Sequence, residues 1–269
     1  MNRLIINADD FGKSQSINRA IDECMKKKYI SSTTLMVNMP CAEGAVQLAF
    51  DGGYADKVGL HLNLTDGSPL SAAMRNNKRF VTDGVFNRKF HLNTISRFVM
   101  TRKDILCIRG ELEEQIKKYV QMMGDYANMH VDSHHHIHTD YAVYRALEPL
   151  IDKYGIVSIR LTRTISKDGF GMMKKLYKII LNNRIKKETV FSTDEMGTFR
   201  DYYECLSKMN ERLVTELECH PDYYGEAIVN ICKDKEPIYR DFNLFLSSIN
   251  EYQLVDWCMH KMASTNTRQ

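Results

Sequence analysis

No stretch of the chain reaches the ~18 uninterrupted apolar residues that a membrane-spanning helix requires. The first ten residues lack the apolar centre of a secretory signal and run straight into paired acids, Asp9 and Asp10. Paired cysteines are missing as well. Cys24, Cys41, Cys107, Cys205, Cys219, Cys232 and Cys258 are odd in number, scattered and without a CxxC pair, which argues against a zinc ribbon and against a disulfide framework. These absences make a reducing cytoplasm the expected setting. Charge of one sign is scarce: a net +3 is too mild to point to nucleic acid or an anionic membrane as partner. No linker, internal repeat or low-complexity segment divides the 269 residues, so one domain over 1–269 is expected. With 43% hydrophobic and 26% charged residues, that domain can bury a sizeable core.

What is present is an alternation of apolar runs and helical patterns. Leu4-Ile5-Ile6 reads as a strand, followed by a helix over Ser16 to Lys28. Strands at Ser32 to Val37 and Val58 to Leu64 flank a helix over Ala42 to Phe50. From Thr65 to Lys103 periodicity lapses, and Asp66-Gly67 and Asp83-Gly84 signal turns. A helix follows over Glu111 to Met123, a strand over Asn128 to His136, a helix over Ala142 to Lys153 and a strand over Val157 to Leu161. Further strands fit Thr215 to Cys219 and Tyr252 to Val255. Strands alternating with helical crossovers predict an α/β fold, and about seven parallel strands at this spacing could close into a barrel. The basic stretch Lys174, Lys175, Lys178, Arg184, Lys186, Lys187 reads as a solvated helix face, with Met173, Leu176 and Ile180 turned inward.

Four short segments carry the chemistry. In His130-Val131-Asp132-Ser133-His134-His135-His136-Ile137-His138, a continuous strand would put Asp132, His134, His136 and His138 on one face and His135 on the other. Neutral imidazoles are common metal ligands, and a nearby carboxylate orients them through the second ring nitrogen. Four at period two beside an aspartate are hard to explain as satisfied core histidines. Asn7-Ala8-Asp9-Asp10-Phe11-Gly12 follows the first strand; two adjacent carboxylates there are costly to bury without a cation, although such pairs also serve as helix caps. His61 in Gly59-Leu60-His61-Leu62-Asn63-Leu64-Thr65 and His220 in Glu216-Leu217-Glu218-Cys219-His220-Pro221 both sit at the ends of apolar strands. Each alone is as consistent with a core or capping role. All four lie at strand C-terminal ends, where α/β sheets and barrels gather their sites.

These four segments, in this order and spanning Met1 to Pro221, resemble the YdjC-like carbohydrate deacetylases, a family that includes chito-oligosaccharide deacetylases. The resemblance implies a deformed (β/α) barrel related to the polysaccharide deacetylases, one divalent metal ion, and hydrolysis of an N-acetylated amino sugar. Carried over, Asp10, His61 and His134 become the metal ligands and Asp9 the catalytic base. Arg160, in Ile159-Arg160-Leu161, corresponds to an arginine that steadies the acidic cluster or the substrate. The basic stretch after Thr164 matches no pattern of the family.

Amide hydrolysis also needs a proton for the departing nitrogen, and His220 is the candidate acid, with Glu216 or Glu218 tuning it. Asp132, His136 and His138 are expected to touch substrate or to support the ligands. Two histidines and one carboxylate suit Zn2+ better than Mg2+, yet magnesium is named for parts of the family. Phe86, Phe191 or Tyr223 could stack on the sugar, and a homodimer is a fair expectation. A metal-dependent phosphoesterase with His-x-His strands is a rival reading, though those open on His-x-His rather than Asp-Asp. A catalytically inactive sugar- or metal-binding homologue is another, against which Asp9 counts.

Overall fold

The computed structural model describes residues 2–127, 129–205, 213–231 and 252–257. Twelve strands occur among them: β1 (Asn2–Phe11), β2 (Ser32–Leu35), β3 (Val58–Leu62), β4 (Val81–Thr82), β5 (Val85–Phe86), β6 (His130–Ser133), β7 (Ser158–Ile159), β8 (Glu195–Thr198), β9 (Val214–Cys219), β10 (Pro221–Tyr224), β11 (Ala227–Asn230) and β12 (Tyr252–Leu254). Eight form one all-parallel sheet in the order β7-β6-β3-β2-β1-β9-β8, with β12 also pairing β1. Pairs β4–β5 and β10–β11 are separate antiparallel hairpins. The sheet curls into an open α/β half-barrel, and the gap between its edges is stitched outside the strand ladders. Phe191 N–H donates to the Val157 carbonyl at 3.0 Å, and Thr164 N–H donates to that of Met196 at 2.8 Å.

Strand periodicity sorts the two faces. Leu4, Ile6, Ala8, Val58, Leu60, Leu62, Val131, Leu217 and Cys219 join the large core under the helices. The alternate positions face inward. Ile5, Val214 and Trp257 form an apolar floor, with His130 stacked on Trp257 at 3.7 Å between ring centroids. Above that floor the inward residues turn polar: Asn7, Thr34, Asp132 and Glu216, then Asp9, His61 and Glu218, all buried.

The helices are α1 (Gln15–Lys26), α2 (Ala42–Asp51), α3 (Ala72–Arg75), α4 (Lys89–Leu92), α5 (Thr94–Phe98), α6 (Arg102–Met123), α7 (Tyr141–Tyr154), α8 (Met172–Glu188) and α9 (Phe199–Cys205). Ser14 and Thr101 cap α1 and α6 by accepting from the backbone N–H of Ile17 and Asp104. Tyr119 of α6 donates to the Val58 carbonyl at 2.7 Å and so fixes the helix against β3. No helix among the described residues is long and apolar enough to cross a membrane.

Two expectations are corrected. The strand predicted over Asn128 to His136 ends at Ser133, and His134–Thr139 form a 3-10 turn in which His135 and His136 both have φ of 55°. His134, His136 and His138 therefore share no strand face with Asp132. In α8, Met173, Leu176 and Ile180 point to solvent, at 75%, 51% and 59% exposure. Leu181, Asn182 and Ile185 are buried instead. The helix carries apolar residues all round, so its sequence pattern did not decide which face would dock.

Candidate active site

The strand ends meet over one cavity of about 790 Å³. Its floor comes from β1. Asp9 is the last inward residue of that strand's regular alternation, and Asp10 follows with φ of 70°, a left-handed conformation unusual for any residue but glycine. Holding it costs about 1–3 kcal/mol. The twist turns Asp10 away from its neighbour and toward His61 and His134. His134 Nδ1 lies 2.8 Å from Asp10 Oδ1, and His61 Nε2 lies 3.4 Å from the same oxygen. Asp10 Oδ1 and His61 Nε2 are buried without a properly aligned hydrogen bond. Orphaned ligand atoms of this kind are what a cation would satisfy, and these three residues form one of two groups compact enough to hold one.

Charge balance points the same way. Asp9, Asp10, Asp132, Glu216 and Glu218 are all buried, and the one buried guanidinium among them is Arg160. Arg160 binds Asp9 in a two-pronged pair at 2.6 and 2.7 Å. It also reaches Asp132 Oδ2 at 2.7 Å and Glu216 Oε1 at 2.6 Å. Burial alone would raise Asp9, but the Arg160 charge and hydrogen bonds hold its carboxyl far below the usual range. Burial dominates at Glu216, pushing it up to about 7 despite Arg160.

The second group that could hold a cation, Asp9, His61 and Asp132, has its carboxylates committed to Arg160. Asp132 also accepts from Thr34 Oγ1 at 3.0 Å and lies 2.7 Å from His61 Nδ1. That contact leaves His61 Nε2 free to face Asp10. Burial works against a charge on His61, but Asp132 and Asp10 outweigh it and raise the imidazole to about 10.

The remaining expected residues divide by place. His220 lines the cavity with Nε2 3.9 Å from Asp9 Oδ2. Glu218 pairs not with His220 but with His136, 3.0 Å away. Burial opposes it, yet Glu218 raises His136 above the ordinary imidazole range. Glu216 is absorbed by Arg160. His138 is fully buried below the cavity, between Ser133 Oγ at 2.5 Å and the Arg160 carbonyl at 3.1 Å. His135, expected on the far side, lines the cavity, lies 2.9 Å from Thr65 Oγ1 and stacks on His91. Phe86, Phe191 and Tyr223 are not among the cavity's lining residues. Phe86 is core, Phe191 packs on Trp257, and Tyr223 donates to Glu23.

Three neighbours of the acidic cluster carried no flag in the sequence. Lys13 Nζ lies 3.1 Å from Asp10 Oδ2, Asp66 Oδ2 lies 3.0 Å from His134 Nε2, and Thr34 links Asn7 to Asp132. Lys13 and Asp66 each stand directly after a singled-out motif. Adjacency to those motifs was the available signal.

A sequence model of the YdjC-like protein family matches residues 3–254. The chain belongs to the YdjC-like family. It is 32% identical over 238 residues to a carbohydrate deacetylase of Thermoanaerobacter pseudethanolicus, covering 86% of this chain and 85% of that one. It is 30% identical over 240 residues to a carbohydrate deacetylase of Clostridium beijerinckii, covering 85% and 84%. Among solved structures, an Enterococcus faecalis protein described as a candidate cellobiose-phosphate cleavage protein superposes with a TM-score of 0.61 over 83% of this chain and 82% of that one. At 22% identity that likeness concerns the fold alone.

Proposed function

We propose that this YdjC-like chain, acting as one catalytic domain, is a metal-dependent carbohydrate N-deacetylase. Its substrate class is an N-acetylated amino sugar, with chito-oligosaccharides such as di-N-acetylchitobiose as the first candidates. The observation that carries the reading is Asp10, His61 and His134 converging beside the Arg160-held Asp9, with Asp9, Asp10 and His134 lining one cavity. Asp10, His61 and His134 would hold the ion, and two imidazoles with one carboxylate favour Zn2+ over Mg2+. When bound, such an ion lowers the pKa of water and polarises the acetyl carbonyl.

Asp9 takes the proton of the attacking water. Arg160 keeps it ionised and fixes its orientation, while Asn7 Nδ2 donates to Oδ1 at 2.9 Å. A carboxylate so stabilised holds a proton only transiently. His220, near Asp9 Oδ2, delivers a proton to the departing sugar nitrogen, and its backbone is pinned by Asn230 at 2.8 Å. His136 and Glu218 also line the cavity, where they would meet the sugar. Purified protein is to be incubated with di-N-acetylchitobiose and, separately, with p-nitrophenyl phosphate, each with and without chelator. Chelator-sensitive acetate release alone is the expected result. Phosphate release instead would favour a phosphoesterase, and no release of either would favour a binding protein.

A further inference from the structure

The loop after β3 holds a carboxylate that none of the roles above uses. We propose that Asp66 is a positioning residue that fixes the tautomer and ring orientation of His134, so that Nδ1 is the ligating atom; this rests on His134 being a ligand in the reading above. The two edges of the His134 ring face different partners. Nδ1 faces Asp10 Oδ1 at 2.8 Å, while Nε2 faces Asp66 Oδ2 at 3.0 Å. A neutral imidazole carries one N–H and one lone pair. Ionised Asp66 can only accept, so the proton belongs on Nε2 and the lone pair on Nδ1.

Lys13 Nζ also approaches Nε2, at 3.3 Å, and would favour the opposite tautomer. Its ammonium has closer company in Asp10 Oδ2 at 3.1 Å and a further acceptor in Asp66 Oδ2 at 3.5 Å. The arrangement repeats that of His61, whose Nδ1 faces Asp132 and whose Nε2 is left for the ion. Each imidazole thus has a carboxylate behind it.

The Asp66 backbone is tied to buried groups, although its side chain is 27% exposed. Asn63, fully buried, accepts through Oδ1 from the backbone N–H groups of Thr65 and Asp66, both at 3.0 Å. Its Nδ2 donates to the Asp66 carbonyl at 2.6 Å. Gln115 of α6 in turn clamps the Asn63 backbone, accepting from its N–H at 2.9 Å and donating to its carbonyl at 2.7 Å. Arg88 steadies the second Asp66 oxygen at 3.1 Å. The Asn63-Leu64-Thr65-Asp66 run is therefore a bracket from α6 to a ligand.

The test is zinc affinity, measured by competition with a chromogenic chelator, for the wild type and for Asp66→Ala, Asp66→Asn and His134→Ala. Asp66→Ala should bind Zn2+ about 10–100-fold more weakly, with the melting temperature of the metal-free protein unchanged. Asp66→Asn, which keeps an accepting oxygen, should stay within a few-fold. Histidine 15N–1H correlation spectra of the zinc-loaded wild type should show His134 protonated at Nε2. Nδ1 protonation overturns the proposal without any variant. Equal losses in the Ala and Asn variants overturn it too, because charge rather than orientation would then be at work. Wild-type affinity in Asp66→Ala beside zinc loss in His134→Ala refutes the role of Asp66 and leaves the metal assignment standing. Retained zinc in His134→Ala overturns the assignment, and the proposal with it.

Discussion

Asp9 and Asp10 are chain neighbours whose side chains part because the backbone changes hand between them. Asp9 stays in the inward row of β1 under Arg160, and Asp10 swings to the two imidazoles. Asn keeps the shape of Asp and accepts no proton at neutral pH. Asp9→Asn should therefore lower acetate release by about 10²–10⁴-fold with metal still bound. Asp10→Asn should lower metal content and rate together, and excess metal should restore part of the rate. Metal stoichiometry and turnover assayed side by side separate the two, and the reverse pattern would exchange the roles. Glu216 gives a pH signature. Burial raises it from 4.5 to about 7, so the folded chain holds a proton that the unfolded chain has already released. Its contribution favours folding fully below the unfolded value, is lost as pH rises through about 7, and is flat above. Glu216→Gln keeps an acceptor for Arg160 without the charge. Its melting temperature should fall less than the wild type's between pH 5 and pH 8, and an equal fall would place the titration elsewhere.

Between β3 and β6 the backbones come so close that position 59 tolerates only glycine. A Cβ there would lie 2.7 Å from the His130 carbonyl oxygen and 2.8 Å from its ring. Gly59→Ala must push the strands apart, at about 1–3 kcal/mol for overpacking, and shift His61 two residues on. Thermal melting and metal affinity should both fall, whereas a change in neither would mean that His130 yields cheaply. The long buried strands and α1, α2, α6 and α7 could be read from the chain, because parallel strands covered on both faces write themselves as apolar runs. Other elements were hidden for physical reasons. β8, Glu195–Thr198, has one buried apolar side chain and a glycine, too little for a pattern. The helix of Arg102–Met123 begins nine residues before the expected start: Ile105 and Ile108 extend the buried face of Leu112 and Ile116, a continuation that the irregular run before Lys103 masked. The turn of His134–Thr139 was invisible because His134, His136 and His138 satisfy strand alternation as well as they satisfy a coil with two left-handed residues. Asp10, His61 and His134 could be named from their motifs, but their partners Asp66 and Thr34 come from a turn and a strand without chemical signature.

Across the whole molecule, four buried carboxylates converge from β1, β6 and β9 on one guanidinium, with Asp10 a fifth beside them, and a divalent ion would relieve their mutual repulsion. A ligand held only by the folded state stabilises it by RT ln(1 + [L]/Kd), about 2.7 kcal/mol at a hundred times Kd. Added Zn2+ should raise the melting temperature of the wild type after chelator treatment, and should do so far less in His61→Ala. A rise of equal size in the variant would put the ion elsewhere. The sheet's connectivity has a consequence for synthesis. Arg3 and Leu4 pair with β9 on one edge and, through Gln253 and Leu254, with β12 on the other. β1 is thus completed by a strand made roughly 250 residues later, a wait of about 12–50 s at ~5–20 residues per second. For that time the short Asn2–Leu4 edge of β1 that β12 covers is open to any passing nascent chain, so protein yield in cells should depend on chaperone supply more than equilibrium stability would suggest.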